Sequence, residues 1–85
     1  MAAITIYTTP ICPYCNRAKD LLKRKGRTDW KEVDVSDDDE RTKMIEKAGG
    51  RRTVPQIFIG DTHVGGFDDL SALDRKGELD GLLAS

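Results

Sequence analysis

Long apolar runs are missing from this sequence, histidine occurs once, and neither sign of charge dominates. No stretch approaches the roughly 20 apolar residues that a membrane-crossing helix needs. Met1-Ala2-Ala3 leads straight into a strand-like segment rather than into the charged and apolar regions of a signal peptide. The expected location is the cytoplasm, with no membrane partner. Fourteen Lys and Arg stand against fifteen Asp and Glu, a formal net charge of -1. Nothing in that balance draws the chain to phosphate backbones, so nucleic acid is not an expected partner. A closed zinc site takes four ligands, and beyond one cysteine pair only His63 and carboxylates could contribute, so no metal is expected. There is no internal repeat, low-complexity tract or interdomain linker. With 85 residues the chain can build one core and not two, so residues 1–85 read as a single domain.

What the chain does have is Cys12-Pro13-Tyr14-Cys15, which holds its only two cysteines and stands where a first strand gives way to a helix. Proline suits the first helical position, because its φ is already helical and the N–H it lacks would have no partner there. Cys12 then falls at the N-cap. Its sulfur faces the unpaired N–H groups of the first turn and the positive end of the helix dipole, both of which favour thiolate over thiol. Cys15 lies one turn further in. The outer sulfur is the expected nucleophile and the inner one the expected resolving thiol. A purely structural bridge is disfavoured, since so short a loop removes little chain entropy. In a reducing cytosol a cysteine pair is more often catalytic or metal-binding. Two inert buried cysteines remain open on the motif alone.

Ala3 to Thr8 has the β-branched and aromatic density of a buried strand, closed by Thr9-Pro10. The helix after the cysteines carries Ala18, Leu21 and Leu22 on one face, Lys23, Arg24 and Lys25 in its last turn, and Gly26 at C′. A second strand is expected over 28–35, with Val33 and Val35 on one face and Trp30 on the other. Ser36 reads as the N-cap of a helix whose first turn holds Asp37, Asp38, Asp39 and Glu40 and which ends near Ala48. That position explains the acidic run without a cation site. A loop over 49–55 leads into a third strand, Gln56 to Ile59; Gly60-Asp61 has the form of a type II′ turn, and Thr62-His63-Val64 returns antiparallel. A third helix follows over about 68–76, and Leu79, Leu82 and Leu83 suggest a short closing helical turn. The order βαβαββα, with that closing turn, implies an α/β fold whose first two strands are parallel across a right-handed crossover, the hairpin adding two antiparallel strands.

Three blocks occur in a set order: Cys12-Pro13-Tyr14-Cys15 after strand one, Thr53-Val54-Pro55 before strand three, and Gly65-Gly66-Phe67-Asp68-Asp69 before helix three. Together they resemble the glutaredoxins over essentially the whole chain, and most nearly the small bacterial dithiol type. The resemblance implies a thioredoxin-like fold, a four-stranded mixed sheet flanked by helices, with glutathione bound beside Cys12 as reducing co-substrate. It implies a cis bond at Val54-Pro55, which with Thr53 turns the main chain of Val54 toward the cysteinyl backbone of glutathione, like a short antiparallel strand. It implies that N–H groups at Gly66 and Phe67 hold the γ-glutamyl carboxylate, that Asp68, with Asp69 adjacent, takes the ammonium, and that Tyr14 flanks the exchanging sulfurs. Many members carry a lysine where this chain has Thr9. Without it the dipole and the Cys15 thiol are left with more of the thiolate stabilisation, and Arg41, Arg51 or Arg52 would meet the glycyl carboxylate.

The activity implied is glutathione-dependent reduction of protein-glutathione mixed disulfides by Cys12, and of protein disulfides by Cys12 and Cys15 together. It would serve electron transport and redox homeostasis in a cytoplasmic monomer, with ribonucleotide reductase as one candidate client. Two alternatives stand beside it. A redoxin served by thioredoxin reductase is opposed by the Gly66 block and by the lack of Trp-Cys-Gly-Pro-Cys. A carrier of a [2Fe-2S] cluster goes, within the resemblance, with a single Cys followed by Gly rather than with Cys12-Pro13.

Overall fold

The computed structural model describes residues 2–85. In β1 (Ile4–Thr8) side-chain alternation sends Ile4 and Ile6 to one face of the sheet and Thr5 and Tyr7 to the other. The strand pairs in parallel with β2 (Lys31–Asp34), reached through α1 (Pro13–Arg24), and antiparallel with β3 (Gln56–Ile59). A hairpin carries β3 into β4 (Thr62–Gly65), and the spatial order is β2-β1-β3-β4. At its tip Gly60 has φ 60° while no non-glycine residue described has positive φ, the pattern of a type II′ turn.

On one face Ile4, Ile6, Ile57 and Ile59 pack against Ala18, Leu21 and Leu22 of α1, Leu70 of α3 (Phe67–Arg75), and Leu79 and Leu83 of α4 (Leu79–Ala84). The other face is covered by α2 (Asp38–Lys47), whose Met44 meets Tyr7 and Val35. Each of the large side chains that is fully withdrawn from water contributes about 1.5–3 kcal/mol. The result is a thioredoxin-like mixed sheet flanked by helices. Trp30 packs toward the first cluster and Val33 and Val35 toward the second, as their alternation requires.

Several ends shift by one residue from the sequence expectation, and three boundaries differ for a visible physical reason. β2 begins at Lys31 rather than at 28, because Arg27 turns inward. Its guanidinium donates to the carbonyls of Ala2 at 2.7 Å and Leu83 at 3.0 Å and pairs with Asp29, so this segment ties the two ends of the chain together instead of extending the sheet. The cap of α2 is Asp37, not Ser36. Asp37 Oδ2 accepts the Glu40 N–H at 3.2 Å, while the Ser36 N–H is taken by Asp34; a carboxylate at that position also complements the helix dipole. α3 starts one residue early, at Phe67, because the Asp69 carboxylate reaches back to the Gly66 N–H at 2.9 Å and makes Gly66 its cap.

Candidate active site

At the end of β1 the chain turns through Thr9-Pro10-Ile11 into α1, and Cys12 is the N-cap in extended backbone, with φ -150° and ψ 96°. Pro13 opens the helix, so the first turn loses no hydrogen bond to it. Cys12 and Cys15 are joined sulfur to sulfur. The Cys15 N–H points at Cys12 Sγ, 3.2 Å away, and the same donor is in place for a thiolate once the bond opens. Cys15 is 1% exposed and Cys12 9%, so an incoming disulfide reaches the outer sulfur first. Around Cys12 the surface is apolar: Ile11 is 92% exposed and Tyr14 54%. The Arg17 guanidinium lies 5.2 Å from the Tyr14 ring centre, and the Phe67 ring 6.3 Å from it.

Across from Cys12 lies the loop before β3. The Val54 carbonyl oxygen is 3.9 Å from Cys12 Sγ. The bonded sulfur has no proton to donate, so this is a packing contact in the disulfide and a weak donor-acceptor pair only in the thiol. Val54-Pro55 is cis. One cleft of about 140 Å³ brings together Tyr14, the segment Thr53-Val54-Pro55 and the segment Gly66-Phe67-Asp68-Asp69, with Arg51 completing its wall. Pockets that enclose a ligand measure roughly 300 Å³ or more, so a tripeptide would lie across this cleft rather than inside it. A larger groove of about 760 Å³ between β4, α3 and α4 contains, of the expected residues, only Asp69; neither cysteine lines either cavity, and it is the smaller one whose Val54 wall touches Cys12 Sγ.

The far wall of the cleft is the start of α3, where the first-turn N–H groups have no partner within the helix. Asp68 is exposed there. Asp69 is engaged: its Oδ2 accepts from the Gly66 N–H at 2.9 Å and from Arg51 Nη1 at 3.0 Å. The Gly66 N–H, with the Arg51 guanidinium adding to it, holds the Asp69 carboxyl below the ordinary carboxylate range despite its partial burial. Gly65, at φ 113°, leaves room for this pair; a Cβ there would overlap both the Asp69 carboxylate and the Arg51 guanidinium. Arg41 donates to the carbonyls of Val35 at 3.5 Å and Arg52 at 3.4 Å, and Arg52 is exposed beside Thr53. Thr9, Arg41 and Arg52 are not among the cleft walls. Ile11 carried no expectation from sequence; the signal available was an isoleucine set between Pro10 and Cys12, where no periodic apolar face requires it.

The family profile described as Glutaredoxin matches residues 4–64. The chain is similar to the Glutaredoxin of Pseudomonas aeruginosa, with 52% identity over 85 residues that span the whole of both chains. The chain belongs to the glutaredoxin family. Its backbone is similar to the solution structure of glutaredoxin from Brucella melitensis, with a TM-score of 0.84 at 55% identity over 98% of this chain and 89% of that one. It is also similar to the crystal structure of a buckwheat glutaredoxin-glutathione complex, with a TM-score of 0.86 at 28% identity over 98% of this chain and 77% of that one. As a glutaredoxin this chain is a glutathione-dependent thiol-disulfide oxidoreductase, and glutathione is its co-substrate. The cleft suits such a ligand chemically. It offers main-chain groups at Val54, unpaired N–H groups at a helix start and the exposed Asp68 carboxylate, next to a cysteine pair.

Proposed function

We propose that this glutaredoxin reduces protein-glutathione mixed disulfides and protein disulfides, with Cys12 as nucleophile and Cys15 as resolving thiol. The reading is carried by one observation: the cysteine pair at the start of α1 opens beside the cleft that joins the Val54 loop to the start of α3. Glutathione lies across this cleft with its cysteinyl main chain paired to Val54. Its γ-glutamyl carboxylate meets the Phe67 N–H beside Gly66, whose own N–H is held by Asp69, and its ammonium meets Asp68, since Asp69 is engaged with Arg51. Tyr14 flanks the exchanging sulfurs. Because Arg51 is committed to Asp69, the glycyl carboxylate falls to Arg41 and Arg52, which are joined through the Arg52 carbonyl.

In the first step the Cys12 thiolate attacks the glutathione sulfur of the mixed disulfide. The protein sulfur leaves as a thiolate and takes up a proton, and Cys12 is left bonded to glutathione. A second glutathione thiolate attacks that bound glutathione sulfur, releasing Cys12 thiolate and oxidised glutathione. With a protein disulfide, Cys12 first bonds to the client; Cys15 displaces the client thiol and forms the Cys12-Cys15 bond, which two glutathiones then reduce. The positive end of α1, the Cys15 N–H and the Cys15 thiol favour the attacking thiolate where Thr9 replaces a lysine. The whole chain acts as one domain, as a monomer in the cytoplasm, with ribonucleotide reductase as a candidate client.

A glutathione-coupled assay, followed through NADPH and glutathione reductase, tests the assignment. Cys12→Ser should abolish both activities. Cys15→Ser should keep deglutathionylation and lose the reduction of protein disulfides. Equal loss of deglutathionylation in both variants would refute the roles given to the two sulfurs.

A further inference from the structure

Gln56 opens β3 with a fully buried polar side chain, at a place where sheet packing alone would take an apolar one. Every polar atom of its amide is engaged. Nε2 donates to the Thr53 carbonyl at 2.9 Å and lies 3.3 Å from Thr53 Oγ1, while Oε1 faces His63 Nε2 at 2.8 Å. A carbonyl can only accept, so the Thr53 contact decides which end of the amide is nitrogen, and His63 must bring the hydrogen to Oε1. His63 is held in turn by stacking on Phe58, with ring centres 4.7 Å apart and planes 23° from parallel.

The consequence reaches the cleft through one peptide unit. The Thr53-Val54 bond is trans, Val54-Pro55 being the cis bond of the described chain. In a planar trans unit the carbonyl and the N–H point in opposite directions. Drawing the Thr53 carbonyl inward onto Gln56 therefore turns the Val54 N–H outward, toward the cleft that Val54 lines. Among the described residues nothing accepts from that N–H. We infer that Gln56, oriented by His63, is a positioning residue that aims the Val54 N–H at the main chain of glutathione. The inference rests on the proposed pairing of Val54 with glutathione.

S-methylglutathione, which cannot exchange its sulfur, separates binding from chemistry. Its Kd is read by amide NMR titration of the reduced full chain, with the Val54 N–H resonance as the local reporter. Gln56→Met keeps the volume and removes both hydrogen bonds; it should raise Kd at least fivefold and abolish the shift of the Val54 amide on binding. His63→Phe keeps the stack on Phe58 and removes only the donor, and should raise Kd at least twofold. His63→Gln restores a donor and should stay within twofold of wild type. In steady-state turnover the losses should fall on KM for glutathione, with kcat little changed. Variants that melt earlier but bind with wild-type affinity would overturn the inference and leave Gln56 a structural residue. If Gln56→Met does not fold, wild-type affinity in His63→Phe overturns it equally. A wild type whose Val54 amide ignores the ligand would overturn the pairing of Val54 itself, and the inference with it.

Discussion

The nucleophilic role proposed for Cys12 rests on position more than on neighbours of opposite charge. The N-cap sets its sulfur 3.2 Å from the Cys15 N–H, and the nearly complete burial of Cys15 leaves the outer sulfur as the point of entry. Asp69 performs a different task. It caps α3 and holds Arg51, which joins the loop before β3 to the helix across the cleft. Its carboxyl lies below the ordinary range, chiefly because of the Gly66 N–H. A depressed folded-state value means that the ionised group stabilises the fold above the unfolded carboxylate range, and that this contribution is lost as pH falls through the folded value. Urea unfolding of Asp69→Asn should therefore show a deficit against wild type at pH 7 that shrinks in acid below the ordinary value of 3.8. A deficit that stays constant across that range would remove the ionised carboxylate from the account.

Among the elements, α1 and α3 matter most to the site, since both point their N-termini at the cleft while their apolar sides enter one core. Leu70 is the fully buried anchor of α3, and Leu22 has the same place in α1. Leu70→Ala should cost about 2–5 kcal/mol, the lost transfer term plus the cavity left behind. Urea unfolding should show that loss as a lower midpoint with an unchanged slope. The β3-β4 hairpin has a second role: it carries Gln56 and His63 on the same face as Phe58, behind the loop that meets Cys12. A bulge between Ile57 and Phe58 shifts the register of this pair of strands, so that Phe58 faces His63 while Ile57 faces Gly65.

The whole molecule has a radius of gyration of 11.9 Å, close to the roughly 12 Å of a folded chain this long. Its charges nearly cancel, and within the cleft Arg51 is balanced by Asp69; two helix N-termini and the free Asp68 carboxylate meet there, so the cleft offers partners of both signs to a zwitterionic peptide. Arg27 reinforces the closure of the chain, which the Ala2 N–H to Leu83 carbonyl bond also makes. Its buried guanidinium is the donor for carbonyls near both termini, at Ala2 and Leu83, and the Asp29 carboxylate balances its charge. Arg27→Met keeps most of the packing but leaves those carbonyls without that donor, and calorimetry should find Tm lower by roughly 5–10 °C. Hydrogen exchange should quicken in α4 before the central strands. Unchanged protection of α4 would mean that apolar packing, the Ala2–Leu83 backbone hydrogen bond and the Lys25–Asp80 ion pair hold the end of the chain without Arg27.

The features legible in the sequence are those whose causes lie within a few residues of one another. Pro13 beside a capping Cys12, the alternation in β1, the Gly60-Asp61 turn and the apolar stripe of α1 are all local, and the structure has them where local chemistry puts them. Even the local signals blurred when two capping residues competed, as Ser36 and Asp37 did at the start of α2. The pairings that shape the cleft join residues from separate elements: Arg51 to Asp69, Gln56 to His63 and Thr53, Val54 to Cys12. Arg27 finds partners 25 and 56 residues away. By itself the sequence determined a cysteine pair at a helix start and the order of the elements around it. Only the tertiary structure decided which polar groups are consumed in holding the cleft and which stay free to meet a ligand, because a hydrogen-bond partner is chosen by proximity in the fold rather than by proximity along the chain.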